Sequence, residues 1–262
     1  MRCVVINLPL AEERRAAIQG EFEKVGLPYE LWPAISGFDL TDETKRSVNH
    51  EARDRVGLRR MDFASVACLL SHLSVFRHLV ESRDDMVAVF EDDARLHPDL
   101  PDVLDALKGK ADKFDVIKLQ RRHVHLPHYP VYQLLRSHSL GRVKYQDTGA
   151  YGYVITRHAA THLLDRFPRP VHEIDWIIPR YWENGLRHVL YVNPPVVFHD
   201  NILPSYIDIH RVGVHAEHST RLRRNPLVVT RRLVAGVHRS VKRWAGFRTL
   251  RRQDRDIDPY SF

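Results

Sequence analysis

Short apolar runs alternate with longer amphipathic stretches from the start of the chain. Residues 2–8 (RCVVINL) are largely apolar and β-branched, which is typical of a strand buried on both faces. Residues 12–25 place apolar positions among charged ones and are followed by Gly26 and Pro28, which predicts a helix. A short strand over 29–34 completes a β-α-β unit. This opening predicts an α/β domain with a mostly parallel sheet.

The same alternation continues to about residue 200. It predicts further strands at 86–90, 115–119, 151–156 and 190–197, and helices at 64–80, 100–107 and 158–167. The prolines within 190–197 place that strand near a sheet edge. Residues 121–142 contain prolines, histidines and arginines with little periodicity and are predicted to be a mobile loop. We therefore expect one α/β domain over residues 1–212.

Charge separates the end of the chain from the rest. The net charge is +7, but the residues from His215 onward contain 12 Lys+Arg and 4 Asp+Glu, so the preceding part carries −1. A near-neutral body argues against nucleic acid as the partner. Residues 213–262 are predicted to be a basic amphipathic tail, with Leu233, Val237, Val241 and Trp244 at helical spacing among arginines. Residues 215–262 suit an anionic membrane surface; the alternative is a helix packed on the body with solvated arginines.

Cysteine content and hydropathy indicate the compartment. Cys3 and Cys68 are too few for a disulfide framework, and no segment approaches the roughly 20 apolar residues of a membrane span. The start, MRCVVINLPL, lacks the features of a signal peptide. We expect a cytoplasmic protein that is peripheral on the inner face of the membrane.

Three acidic residues, Glu91, Asp92 and Asp93, directly follow the apolar strand predicted at 86–90. Carboxylates at i and i+2 at the end of a strand can face one point, and hard oxygen ligands suit Mn²⁺ or Mg²⁺. Asp93 is the better metal ligand, with Glu91 as a second, while Glu91 or Asp92 is available for sugar or ribose hydroxyls. The alternative is a solvated acidic turn. A divalent ion here would stabilise a nucleoside diphosphate leaving group, and the absence of GxxxxGK[ST] and GxGxxG disfavours P-loop and dinucleotide-binding enzymes.

Several sequence blocks resemble glycosyltransferase family 25, the lipopolysaccharide-biosynthesis and collagen-galactosyltransferase family. They are VINLPLAEERRAAI (5–18), ASVACLLSHLSVF (64–76), VAVFEDDARL (87–96), FDVIKL (114–119), TGAYGYVITRHAATHLL (148–164), HEIDWIIPRYW (172–182) and PPVVFHDNILPS (194–205). The resemblance implies a GT-A type fold and an inverting transfer, most commonly from UDP-galactose, to a lipopolysaccharide-type saccharide. It also implies that Asn7, Leu8 and Arg14 lie near the nucleotide, with Glu91, Asp92 and Asp93 as the family's acidic motif.

An inverting transfer needs a base that deprotonates the acceptor hydroxyl. Asp175 is our candidate, because its apolar and aromatic neighbours raise its basicity; the alternative is a helix cap. His199 is a candidate metal ligand or a simple loop residue. Thr148, Gly149 and Tyr151 offer the donor a hydroxyl, a close backbone approach and an aromatic face.

Other histidines have a structural interpretation as well as a functional one. His72 lies on the predicted buried helix and is either a core histidine or a substrate contact. His123, His125 and His128 lack the partners of a zinc site and better suit an acceptor-facing loop. Two rival functions remain, a metal-dependent nucleotidyltransferase and a non-catalytic membrane- or nucleic-acid-binding protein that acts through its tail.

Overall fold

The computed structural model describes residues 1–55, 58, 60–123, 125–145, 147–200 and 226–262. Its strands are β1 (Arg2–Asn7), β2 (Glu30–Pro33), β3 (Met86–Glu91), β4 (Ala94–Leu96), β5 (Val116–Lys118), β6 (His128–Gln133), β7 (Ser139–Val143), β8 (Gly152–Thr156), β9 (Val189–Asn193) and β10 (Val197–His199). The helices are α1 (Glu12–Val25), α2 (Asp42–Arg46), α3 (His50–Arg55), α4 (Phe63–Glu81), α5 (Leu100–Leu107), α6 (Arg157–Arg166), α7 (Ile174–Ile177), α8 (Tyr181–Asn184) and α9 (Pro226–Gln253), and a 3-10 turn follows at Asp254–Asp256.

Eight strands form one mixed sheet in the order β2-β1-β3-β8-β5-β9-β7-β6. Six of them run in the same direction, while β7 and β8 are antiparallel to their neighbours. The predicted α/β class with a mostly parallel sheet is therefore confirmed. β4 and β10 form a separate antiparallel ribbon.

Both faces of the sheet are covered, as the uniformly apolar strands predict. In β3, Val87 and Val89 belong to the apolar cluster that also contains α4 and α6, whereas Ala88 and Phe90 belong to the cluster that contains α1 and α5. Successive side chains of the strand thus belong to two hydrophobic cores, one on each side of the sheet. Among the described helices, α4 is the one long and apolar enough to span a bilayer, and it packs against α6 and α7 with 56% of its apolar window buried.

Two local predictions are wrong. Residues 121–142 do not form one loop, because β6 and β7 pair there as a hairpin whose register shifts between Pro130 and Tyr132. The irregular register hides the period-2 pattern of the strands. The strand within 190–197 is not near an edge either, since β9 lies between β5 and β7 and ends before Pro194. The prolines interrupt the connection to β10 rather than the strand itself.

The last helix is partly packed and partly exposed. Phe247 and Leu250 are buried, and the Phe247 ring lies 5.1 Å from that of Tyr129. Toward the helix start, Leu233, Val237, Val241 and Trp244 are all exposed. The predicted boundary between residues 212 and 213 lies outside the described residues.

Candidate active site

A cavity of about 420 Å³ opens at the carboxyl ends of β1 and β3. Its wall is formed by the segment 8–11 after β1, the segment 34–39 after β2, one side of α4, Arg14 of α1, and the acidic triplet Glu91–Asp93. β1 and β3 are adjacent and parallel, so both chain segments that leave them enter the same space. The predicted nucleotide residues Leu8 and Arg14 therefore share one cavity with the acidic triplet.

Each carboxylate of the triplet has a different set of partners. Glu91 Oε1 lies 3.1 Å from His72 Nε2. Asp92 accepts a hydrogen bond of 2.8 Å from Asn7 Nδ2 and pairs with Arg14 Nη2 at 2.9 Å. The same Arg14 nitrogen lies 2.5 Å from Asp93 Oδ2. Arg14 thus connects the second and third carboxylates, while the first points toward α4.

The pKa values of Asp92 and Asp93 follow from these surroundings. Burial raises the pKa of Asp92 to about 6, although Arg14 and Asn7 oppose the shift. Burial acts on Asp93 as well, but the hydrogen bond to His199 and the charge of Arg14 outweigh it and lower the pKa of that carboxyl. The pKa values of these two adjacent residues are therefore shifted in opposite directions, and Asp93 stays ionised to lower pH than Asp92.

His199 reaches the triplet through the β4–β10 ribbon. The ribbon pairs His199 with Ala94, the residue that follows Asp93, and it brings His199 Nε2 within 3.4 Å of Asp93 Oδ2. The Tyr151 ring packs edge-on against the imidazole with centroids 5.4 Å apart. The predicted metal ligands Asp93 and His199 are thereby brought together across more than a hundred residues of sequence.

Asp93 and His199 have the donor atoms for a divalent cation. Asp93 Oδ1 is buried and has no hydrogen-bond partner within the described part of the chain, so an acceptor oxygen is available in a position shielded from water. A carboxylate and an imidazole together suit Mn²⁺. The third predicted ligand, Glu91, does not join them, because it is directed toward His72 and Cys68.

The segment before β8 contains three further predicted donor residues, Thr148, Gly149 and Tyr151. Gly149 has φ +100°, and a Cβ there would lie 2.6 Å from Gln120 Nε2, so only glycine suits this position. Its carbonyl oxygen accepts a hydrogen bond from Lys118 Nζ, and the Thr148 carbonyl faces Gln120 at 3.5 Å. Tyr151 is buried next to His199. Of the three predicted donor residues in this segment, Tyr151 lies beside the acidic triplet, since its carbonyl oxygen accepts a hydrogen bond of 3.3 Å from the Glu91 backbone N–H, whereas Thr148 and Gly149 contact Gln120 and Lys118.

Asp175 lies in the first turn of α7, one residue after the helix begins at Ile174. Glu173 is the capping position, so Asp175 does not cap the helix. Burial, together with the charges of Glu173 and Glu91, raises the pKa of Asp175, while Lys118 and the Gly149 amide act in the opposite direction. These interactions place Asp175 within electrostatic reach of both Glu91 and Lys118.

Lys118 is a functional candidate that the sequence reading missed. Its side chain is fully buried on β5, and desolvation lowers the pKa of its ammonium group to about 8, although Asp147, Asp175 and Glu91 oppose that shift. A single lysine inside the apolar run FDVIKL is the sequence signal that could have revealed it, because lysine is rarely fully buried without a partner. Its positive charge is attracted by these three carboxylates.

The histidines of 123–128 have separate structural partners. His123 Nδ1 contacts Asp147 Oδ1 at 3.0 Å, and His128 Nε2 contacts the Tyr191 carbonyl at 3.2 Å. His72 has both nitrogens partnered, Nδ1 with the Tyr153 hydroxyl at 2.8 Å and Nε2 with Glu91. His72 is therefore a satisfied buried histidine that also lines the cavity.

An α/β sheet with a charged cavity beyond the carboxyl ends of its parallel strands is the arrangement of nucleotide-binding enzymes. The sequence model of glycosyltransferase family 25 (LPS biosynthesis protein) matches residues 1–178, more than half of the chain. The chain therefore belongs to glycosyltransferase family 25.

Three relatives illustrate this similarity. The lacto-N-neotetraose biosynthesis glycosyltransferase LgtE of Neisseria meningitidis serogroup B is 26% identical over 202 residues, which cover 72% of this chain and 71% of that protein. A putative glycosyltransferase of Haemophilus influenzae is 26% identical over 161 residues, 62% of this chain and 56% of the relative. A glycosyltransferase 25 family member of Aedes aegypti is 32% identical over 98 residues, 36% of this chain. The chain matches less than two thirds of the length of the last two relatives, 56% and 16% respectively.

Proposed function

We propose that this chain is an inverting glycosyltransferase of GT-A architecture that transfers galactose from UDP-galactose to a lipopolysaccharide-type saccharide. The observation that carries the proposal is the cavity of about 420 Å³ in which Arg14 and the acidic triplet meet. Family membership supports the reaction class. The names of the Neisseria relatives, which refer to lacto-N-neotetraose biosynthesis, support a saccharide acceptor.

Different residues of the site contact different parts of the donor. The nucleotide occupies the space beside Asn7 and Leu8 at the end of β1, where apolar wall and polar groups alternate. Arg14 faces the diphosphate, because its guanidinium is the cationic group that contacts the triplet from α1. Glu91 and Asp92 accept hydrogen bonds from sugar or ribose hydroxyls, and Thr148, Gly149 and Tyr151 bound the sugar on the side of β8.

Asp93 and His199 would hold the divalent ion, Mn²⁺ or Mg²⁺, through the unpaired Asp93 Oδ1 and the imidazole. When bound, the ion supplies Lewis-acid stabilisation of the charge that develops on the leaving diphosphate. Arg14 adds a fixed positive charge to the same region.

Asp175 acts as the base that accepts the proton of the attacking hydroxyl. Its raised pKa gives it the proton affinity that this role needs. Attack from the face opposite the leaving group inverts the configuration at the anomeric carbon. Lys118, which donates a hydrogen bond to the Gly149 carbonyl, favours the ionised form of Asp175 and so opposes the effect of burial on its pKa.

The exposed apolar side of α9 brings the enzyme to its acceptor. Leu233, Val237, Val241 and Trp244 are exposed, and the same helix contains arginines and a lysine, whose charge suits anionic lipid headgroups. An enzyme bound at the cytoplasmic face of a membrane would meet a lipid-anchored saccharide in two dimensions.

Donor turnover tests the proposal directly. Purified protein is incubated with Mn²⁺ and UDP-, GDP- or CMP-sugars with a crude lipopolysaccharide acceptor, and the released nucleotide is identified. We expect UDP release from UDP-galactose, abolished by EDTA and lowered at least about 100-fold by Asp93→Asn. Asp112→Asn, in an exposed turn between α5 and β5, is the control and should retain full turnover.

The released product separates the rival reactions. A nucleotidyltransferase would release pyrophosphate from a nucleoside triphosphate and incorporate the nucleotide into its acceptor. Turnover that survives Asp93→Asn would reject the proposed metal position. No release of nucleotide from any donor, with the acceptor present, would reject the transferase itself.

A further inference from the structure

Glu91 belongs to a second cluster of potential metal ligands, with Cys68 and His72. The thiol, one imidazole nitrogen and one carboxylate oxygen all lie within 4.8 Å of one another. Cys68 and His72 are four residues apart on α4, so their side chains project from the same side of the helix. Glu91 approaches from the end of β3. Three side chains from two elements, α4 and β3, therefore converge on one point.

The distances suit a small tetrahedral ion. His72 Nε2 and Glu91 Oε1 are 3.1 Å apart, and two ligands that each lie about 2.0–2.2 Å from zinc are separated by roughly 3.3 Å. Zinc–sulfur bonds of about 2.3 Å need the thiol slightly farther out. Because the widest separation is within 4.8 Å, a side-chain movement of roughly 1 Å brings all three ligands to bonding distance.

The imidazole is already oriented for coordination. Its Nδ1 contacts the buried Tyr153 hydroxyl at 2.8 Å, which leaves Nε2 directed at the cluster. Metal-bound histidines generally have such an outer partner on their second nitrogen. In addition, all three ligand residues line the main cavity, so an ion can enter and a fourth coordination position faces open space.

Charge and ligand type select the ion. A thiolate and a carboxylate neutralise a divalent cation, which suits a position where His72 is fully buried. Asp92 and Asp93 add further negative charge nearby. The sulfur ligand favours zinc and similar borderline-soft ions over Mg²⁺ or Mn²⁺.

We propose that Cys68, His72 and Glu91 form a binding site for a divalent ion of the zinc class, distinct from the hard-ion position at Asp93 and His199. Binding converts the thiol to a thiolate and releases its proton to solvent, so affinity increases with pH. Asp93 and the three proposed zinc ligands line one cavity, but the two positions differ in ligand chemistry.

Cobalt(II) is the probe, because a thiolate bound to cobalt gives a charge-transfer absorption in the near ultraviolet. Titration of the full chain with Co²⁺ is expected to produce this absorption at about one equivalent, and Zn²⁺ should abolish it while excess Mg²⁺ should not. Cys68→Ser is expected to abolish the absorption and to weaken binding more than the 10–100-fold that loss of an outer-shell partner costs.

Two matched variants locate the signal. Cys3→Ser removes the other cysteine, which is buried in the opposite core cluster, and should leave the absorption unchanged. Asp93→Asn alters the hard-ion position and should also leave it unchanged. Absence of the absorption from the wild-type chain, its persistence in Cys68→Ser, or its loss in Asp93→Asn would each overturn the proposal.

A functional consequence rests on the proposed function. Since the site lies in the wall of the donor cavity, Zn²⁺ is expected to inhibit Mn²⁺-supported donor turnover, and Cys68→Ser should relieve the inhibition. Inhibition unchanged by Cys68→Ser would contradict this consequence. A chain with the cobalt absorption but no turnover would reject the transferase and leave the metal site intact, so the two failures are distinguishable.

Discussion

Asp92 and Asp93 are adjacent in sequence, but their pKa values are shifted in opposite directions. Asp92 is held in a buried position where its pKa is raised to about 6. Asp93 has a lowered pKa because His199 and Arg14 outweigh the effect of burial. The difference matters for function, since a metal ligand must be ionised whereas a hydrogen-bonding group near a sugar need not be.

This difference predicts an unusual effect of Asp92→Asn on stability. A carboxyl whose pKa is raised from 3.8 to about 6 in the folded chain contributes stability that is full below pH 3.8 and is lost as pH rises through about 6. Asparagine stays neutral at every pH. As the pH is raised from acid to mildly alkaline, the free energy of unfolding of Asp92→Asn should therefore increase by roughly 1–3 kcal/mol relative to that of the wild type. Urea unfolding of the variant and the wild type in EDTA, at acid and at mildly alkaline pH, measures this change in relative stability.

Asp93→Asn is the matched comparison with the opposite sign. Because the pKa of Asp93 is lowered in the folded chain, its ionised carboxyl stabilises the fold above pH 3.8. That stabilisation is lost as the pH falls through the pKa that Asp93 has in the folded chain. The variant should therefore lose stability relative to wild type at neutral pH and recover in acid. Parallel pH profiles of the two variants would show that the two carboxyls have the same environment, contrary to the structure.

The composition of the site was only partly predictable from single residues. The acidic triplet stands out because it follows an apolar strand, and the resemblance to the family brought in Asn7, Leu8 and Arg14. The separation of Glu91 from Asp93 was not predictable, because the partner of Asp93 comes from the β4–β10 ribbon and that of Glu91 from α4. Neither contact has a local sequence pattern.

Elements with strong periodicity were predicted almost to the residue, and irregular ones were not. The helices at 12–25 and 100–107 coincide with α1 and α5, since a charged face and Gly or Pro at the ends mark them. The β6–β7 hairpin was missed, because its register shift and prolines disrupt the alternation. Local pattern predicts an element only where its hydrogen-bonding is regular.

Helix α9 has an exposed part and a buried part, and we expect substitutions in the two parts to have different effects. Trp244 is 52% exposed, with the Arg248 guanidinium 4.6 Å from its ring, whereas Phe247 is 8% exposed and packs on Tyr129. Trp244→Ala is expected to weaken binding to vesicles containing anionic phospholipid about 10-fold without a change in melting temperature. Phe247→Ala should instead lower the free energy of unfolding by roughly 3 kcal/mol.

Vesicle co-sedimentation and thermal melting measure the two effects separately. Vesicles of neutral phospholipid are the control, since arginine-driven binding needs anionic headgroups and weakens with salt. Equal binding of the wild-type chain to neutral and anionic vesicles, or undiminished binding of Trp244→Ala, would show that this side of α9 is not a membrane contact.

Across the whole molecule, the end of the chain is attached to the sheet at several points. Gln133 of β6 donates its backbone N–H to the Pro259 carbonyl at 2.7 Å, and the Phe262 ring packs on Phe114 and Tyr132. Charge composition predicted a basic segment here but not these contacts, because they depend on few residues far apart in sequence. The segment that follows α9 is therefore fixed to the sheet that carries the candidate active site.

The strongest of these attachments is the ion pair between Arg142 on β7 and Asp254 in the turn after α9. Both side chains are 2% exposed; Arg142 Nε lies 2.6 Å from Asp254 Oδ2, and Nη2 lies 2.9 Å from Oδ1. Asp254→Asn would leave a buried guanidinium without its counter-charge, so the free energy of unfolding should fall by about 3–5 kcal/mol. Asp256→Asn, exposed in the same turn, should change it by less than about 0.5 kcal/mol. If urea unfolding gave similar values for both variants, the end of the chain would be only loosely attached, and α9 could not hold the active site at a defined distance from a membrane.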